Sequence, residues 1–209
     1  DAICDAAFAV EPPLRAFGES NDYILELFHG GTAAFKDYGA SFLAAALAAL
    51  PRGDKPLTIL VATSGDTGAA VGAAFHHKPG MRVAILYPDG RVSPRQAHQL
   101  GCFGDNVHAL RVDGSFDDCQ RLVKTLLSDA AFKQDVPLGS ANSISLGRLL
   151  PQAALAALVM CVPEPELEPQ RPGAGGELHS RGQLVAGDAG VEFGFARMTL
   201  QMLAIQIGQ

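Results

Sequence analysis

A chain of 209 residues with 16 basic against 22 acidic side chains and a net charge of −6 has no basic stripe to neutralise a phosphate backbone, so nucleic acid is excluded as the expected partner. Its longest apolar runs, such as Ala153 to Val162, fall short of the roughly 20 residues that a membrane-spanning helix requires. The four cysteines, Cys4, Cys102, Cys119 and Cys161, form no C-x-x-C pair, and the opening Asp1-Ala-Ile-Cys-Asp lacks a signal-peptide pattern; reduced structural thiols and a cytoplasmic location are the expectation.

From Tyr23 to about Met160, short β-branched runs alternate with helical periods, the pattern of a parallel sheet covered by helices, and the predicted class is α/β. A strand is expected at Ile24 to Phe28, followed by a helix from about Ala33 to Leu50 that buries Phe35, Tyr38, Phe42, Leu43 and Leu47 and stops at Pro51 and Gly53. Next come a strand at Leu57 to Ala62, a helix closing at Lys78, Pro79 and Gly80, and a strand at Arg82 to Tyr87. Both strands are apolar enough to be central. Ser93, Pro94 and Gln96 spell a capping box with proline at the first helical position, and Gly101 offers a left-handed stop. After a strand at Val107 to Val112, Ser115 caps a helix ending near Lys133, with Cys119, Leu122, Val123, Leu126 and Leu127 turned to the sheet. Residues 1–152 thus read as one α/β region. Prolines 163, 165, 169 and 172, interleaved with acids and followed by Gly173, Gly175 and Gly176, mark 153–190 as a disordered linker, and 191–209 is a short apolar tail without a place in the sheet.

Three strings carry chemistry. In Leu25 to Asp37, a glycine turn leads to Lys36 at a helix start. Apolar neighbours such as Phe35 desolvate an ammonium there and the positive helix end opposes it, so both effects favour a neutral amine able to form a Schiff base. The alternative is a surface lysine paired with Asp37 or Glu26. In Thr63-Ser64-Gly65-Asp66-Thr67-Gly68, directly after a strand, helix-start N–H groups and the Ser64 and Thr67 hydroxyls form an anion cradle; the alternative is that Ser64 or Asp66 is a plain cap. In Ser140 to Arg148, an arginine one turn into a helix suits a phosphate or carboxylate, or an ordinary surface ion pair. His29, His76, His77, His98 and His108 show no metal-ligand spacing, since His76 and His77 are adjacent and point to different helix faces, so no metal site is expected.

Together the strings Leu25 to Asp37, Ala62 to Gly68 and Asn142 to Gln152 resemble threonine synthase of the bacterial type, a fold-type II pyridoxal 5′-phosphate (PLP) enzyme. Gly31, where the family usually has proline, and Ser145 with Leu146 depart mildly from its pattern. The resemblance implies a tryptophan synthase β-like α/β fold, incomplete at both ends, and conversion of O-phosphohomoserine and water to threonine and phosphate. It implies Lys36 as the lysine that carries PLP and as the catalytic base. Phe35, Ser64, Gly65, Asp66 and Thr67 would then lie at the cofactor, Ser64 and Thr67 at the substrate carboxylate, and Asn142, Ser143 and Arg148 at the substrate phosphate. The likeness stops at Gln152, beyond which the family's glycine- and asparagine-rich loop for the PLP phosphate is not recognisable, so little activity is expected of this chain. The competing readings are a catalytically dead fragment or interaction protein, and an anion-binding domain without PLP.

Overall fold

The structure, a computed structural model, describes residues 2–17, 22–51, 53–142 and 145–161. It opens with helix α1 (Ala2–Ala7) and an antiparallel pair, β1 (Leu14–Phe17) with β2 (Asp22–Leu25), in register Leu14 to Leu25. There follow α2 (Lys36–Ala49), β3 (Leu57–Ala62), α3 (Asp66–Phe75), β4 (Met81–Pro88), α4 (Pro94–Gly101), β5 (Val107–Val112), α5 (Phe116–Ser128), α6 (Ala130–Asp135), β6 (Leu138–Ser140) and α7 (Leu146–Cys161). Strands β3 to β6 form one parallel sheet in the order β5-β4-β3-β6, so the α/β expectation and the central position of β3 and β4 hold.

Side chains alternate across β3, and that period of two divides the core between the sheet's faces. Ile59 and Val61 join Val83 and Ile85 of β4 under Ala40 and Ala44 of α2, Val71 and Phe75 of α3, and Leu100 of α4. Leu60 and Leu86 face the other way, against Cys119 and Val123 of α5. Helix α7 lies on α2 so closely that a Cβ at Gly39 would stand 2.8 Å from the Arg148 carbonyl oxygen. Only a glycine tolerates that approach.

Several expected boundaries move. The strand expected at Ile24 to Phe28 is β2, shifted earlier and paired with β1 outside the parallel sheet. The helix expected from Ala33 starts at Lys36, because Ala33 sits at φ 57 in a turn closed by its N–H on the Gly30 carbonyl. Helix α3 stops at Phe75, and His77 at φ 58 has left it. Gly101 remains inside α4, and the left-handed residue is Gly104 at φ 70. The helix expected to reach Lys133 breaks at Asp129, whose carboxylate accepts the Phe132 N–H at 3.0 Å and starts α6. Leu122, expected against the sheet, is exposed. Residues 153–161 belong to α7 rather than to a linker, since the run from Leu146 stays apolar through Cys161; the rest of the expected linker and tail lies outside the described residues. Among the described residues, no helix is long and apolar enough to cross a membrane.

Candidate active site

The strand order runs outward from β3 through β4 to β5, then reverses to place β6 on the other side of β3. Such a reversal leaves a crevice at the carboxyl ends of the two flanking strands, where open α/β sheets bind ligands. A pocket of about 260 Å³ lies there. Val61, Ala62, Thr63, Ser64 and Thr67 line it from β3 and the start of α3, and Ser140 and Asn142 from the end of β6. Phe116, Gln120, Val123, Lys124 and Leu127 close it from α5, and Lys36 reaches it from the start of α2. A larger groove of about 720 Å³ runs along α5, lined by Asp117, Gln120, Arg121, Lys124, Thr125, Ser128 and Asp129; it shares Gln120 and Lys124 with the pocket, but neither Lys36 nor the Thr63 to Gly68 string borders it.

Lys36 is about one-fifth exposed at its side chain; its Nζ stands 3.7 Å from Asp66 Oδ2 and 4.4 Å from the centre of the Phe35 ring. The two acids near it in sequence are engaged elsewhere. Asp37 accepts hydrogen bonds from the Thr32 N–H, at 2.8 Å, and from its hydroxyl. Glu26 bonds His29 at 2.7 Å and pairs with Arg15 at 3.3 Å, and the His29 bond first, then Arg15, holds its carboxyl below the usual range. A surface pair with Asp37 or Glu26 is therefore not what the lysine makes. Its partner comes from the loop across the pocket.

That loop is tied by Thr63, which is buried. Thr63 Oγ1 accepts the N–H groups of Gly65 and Gly68, both at 2.9 Å, and donates to the Gly65 carbonyl at 3.1 Å. The N–H groups of Ser64, Asp66 and Thr67 make no hydrogen bond among the described residues and stay available at the positive end of α3. Gly65 has φ 150 and ψ −93, and a Cβ there would overlap the Gln96 amide. Gln96 closes the Ser93 capping box with its Oε1 and donates Nε2 to Asp66 Oδ1 at 3.2 Å, steadying the carboxylate that faces Lys36.

The profile of the family described as "Pyridoxal-phosphate dependent enzyme" matches residues 16–142. The chain belongs to the pyridoxal-phosphate dependent enzymes. It is 49% identical over 152 residues to threonine synthase of Haemophilus influenzae, covering 73% of this chain and 35% of that protein. Over 147 residues it is 51% identical to the Escherichia coli threonine synthase, covering 70% and 34%. The crystal structure of the E. coli threonine synthase superposes with a TM-score of 0.69 at 48% identity, covering 77% of this chain and 37% of that one. The chain spans about a third of the length of the curated relatives it matches.

The residues present fit the cofactor of the pyridoxal-phosphate dependent enzymes. A primary amine against an aromatic ring, facing helix-start N–H groups with no other partner, is the donor set that an anionic aldehyde needs. Of the residues singled out in the sequence, Lys36, Ser64, Thr67 and Asn142 line the pocket, with Phe35, Gly65 and Asp66 at its edge. Arg148 does not line it. Its guanidinium is buried and donates to the Ala141 carbonyl at 3.1 Å, supporting the wall beneath Asn142. Ser143 lies outside the described residues. Sequence reading missed Gln96, Phe116, Gln120 and Lys124. The three on α5 share one face at spacings of four, a weak signal, because polar residues on a helix usually mark the solvent side.

Proposed function

We propose that this chain carries the lysine-bearing part of a threonine synthase, which converts O-phosphohomoserine and water to threonine and phosphate. The observation that carries the reading is the Lys36 amine, set in the switch-point pocket opposite the Thr63–Gly68 loop. PLP, when bound, supplies an aldehyde carbon for the lysine and a ring that absorbs negative charge from the substrate. Lys36 would hold the cofactor and, released as a neutral amine, take the proton from the substrate Cα. Asp66 keeps the amine in place through its 3.7 Å pair, and the Phe35 ring shields it from water on one side. The free N–H groups of Ser64, Asp66 and Thr67 and the Ser64 and Thr67 hydroxyls would orient the substrate carboxylate. Asn142 and Ser143 lie in the segment we assign to the substrate phosphate; Lys124, a second cation in the pocket, joins them, while the buried Arg148 acts from behind. Free thiols at Cys4, Cys102 and Cys119 support a reducing compartment, the cytoplasm, and the acidic balance argues against a nucleic-acid partner.

The test is to add PLP to the purified chain, reduce with borohydride and map the modified peptide. Lys36 should carry the label, and Lys36→Ala should abolish it. Labelling at another lysine with Lys36 unmodified would overturn the assignment. Phosphate binding indifferent to Lys36→Ala, without labelling, would favour an anion-binding domain instead.

A further inference from the structure

At the edge of the sheet away from the pocket, the end of α3 meets the turn that enters β5. Two histidines in sequence on a continuing helix would diverge. Here the helix ends at Phe75, His77 takes φ 58, and the two imidazoles stack with centroids 3.7 Å apart and 30° between planes. Asp105, at φ 50, reaches them from the turn: its Oδ2 lies 3.5 Å from His76 Nε2 and 3.7 Å from His77 Nδ1. The three donor atoms all lie within 4.8 Å of one another. His76 Nε2 is itself buried without a hydrogen bond, and its ring is held edge-on by Phe103 at 5.7 Å.

The backbone under the cluster is fixed by one side chain. Asn106 Oδ1 accepts the His77 N–H at 2.9 Å, while its Nδ2 donates to the carbonyls of Phe75 at 2.9 Å and Met81 at 3.1 Å. The donors are thus presented by a turn whose shape does not depend on them.

We propose that His76 Nε2, His77 Nδ1 and an Asp105 carboxylate oxygen bind one divalent transition-metal ion with zinc-like preferences. Donors about 2.0–2.1 Å from a tetrahedral zinc stand about 3.3–3.4 Å apart, and two of the three separations are already within a few tenths of that. Two imidazoles with one carboxylate suit zinc, cobalt or nickel, whereas magnesium and calcium take oxygen sets. The fourth position is open to water. The ion would staple the far end of α3, whose near end presents the Thr63–Gly68 loop, to the start of β5.

The proposal is tested on the chelator-treated full chain by titration with Co²⁺, followed by displacement with Zn²⁺. One Co²⁺ per chain, with the strong visible absorption of four-coordinate cobalt, is expected, and Zn²⁺ should raise the thermal midpoint of unfolding. Asp105→Asn and His77→Gly, both compatible with a positive φ, should each weaken Co²⁺ at least about tenfold and remove the Zn²⁺ stabilisation, since even outer-shell changes cost that much. His108→Ala, an exposed histidine elsewhere, should change neither. A chain that binds no Co²⁺, or an affinity that survives either variant that folds, would overturn the site. The two variants come from different segments, so loss of one to misfolding leaves the other decisive.

Discussion

Thr63 shows what one hydroxyl settles in this protein. The motif from Thr63 to Gly68 reads as an anion cradle in sequence, with its N–H groups alike; in the fold, Thr63 Oγ1 consumes those of Gly65 and Gly68 and leaves those of Ser64, Asp66 and Thr67. That division depends on a rotamer and a backbone turn at φ 150, neither visible in a string of letters. Thr63→Val keeps the shape and removes the acceptor. It strands two N–H groups at a cost of about 1–3 kcal/mol for each buried group left unsatisfied, moderated at Gly68 by its second bond to the Gly65 carbonyl. Urea unfolding should show a loss in that range, PLP affinity should fall with it, and Thr63→Ser should restore both. A Thr63→Val protein as stable as the parent would show that the hydroxyl ties nothing. Arg148 marks another limit of legibility: its charge suggested a ligand, and sequence gives no sign that its guanidinium is buried and donates to the Ala141 carbonyl.

Among the elements, β3, β4, α4 and α5 were legible because each carries its own instructions, β-branched runs for the strands and capping boxes for the helices. Strand β6 was not legible. Leu138-Gly-Ser has no strand pattern, and it is extended because β3 offers it a partner. Helix α5 tests how strongly its cap is built. Asp118 Oδ2 accepts the Ser115 N–H and hydroxyl, both at 2.7 Å, while Oδ1 meets Arg121 at 2.6 Å. The Ser115 backbone bond first, then its hydroxyl and Arg121, pull the carboxyl down to about 2. Because the folded value lies below the unfolded one, the cap's contribution is present above the ordinary aspartate range of about 4 and is lost as pH falls through about 2. The stability difference between the parent and Asp118→Asn should be constant near neutrality and close between those limits. A gap that persisted at pH 2 would contradict the cap.

For the whole molecule, the arithmetic of anions is decisive. On the proposed reading, cofactor phosphate, substrate phosphate and substrate carboxylate are three anionic groups; the described pocket offers one helix start and two cations, Lys36 and Lys124, of which Lys36 would be committed to the chemistry. Burying an anion without hydrogen-bonded compensation costs more than the remaining contacts return. We therefore expect the purified chain to take up label at Lys36 yet release phosphate from O-phosphohomoserine no faster than its Lys36→Ala variant. Turnover that depends on Lys36 would show that this chain alone supplies every anion site.

The reversal of strand order at β3 also sets how the pocket is assembled in time. Strand β3 finds β4 through a short crossover, but Thr58 and Leu138, which pair across the other side, stand eighty positions apart. Contacts so distant along the chain are reached only after much loop entropy has been surrendered, and they contribute least to a folding nucleus. Ser140 and Asn142 therefore reach the crevice by the slowest route. The same wall, a three-residue strand on an edge, is also the cheapest to release: β6 can part from β3 while β3, β4 and β5 remain paired. Ligand competence here is the first property that local opening would remove and the last that folding would restore.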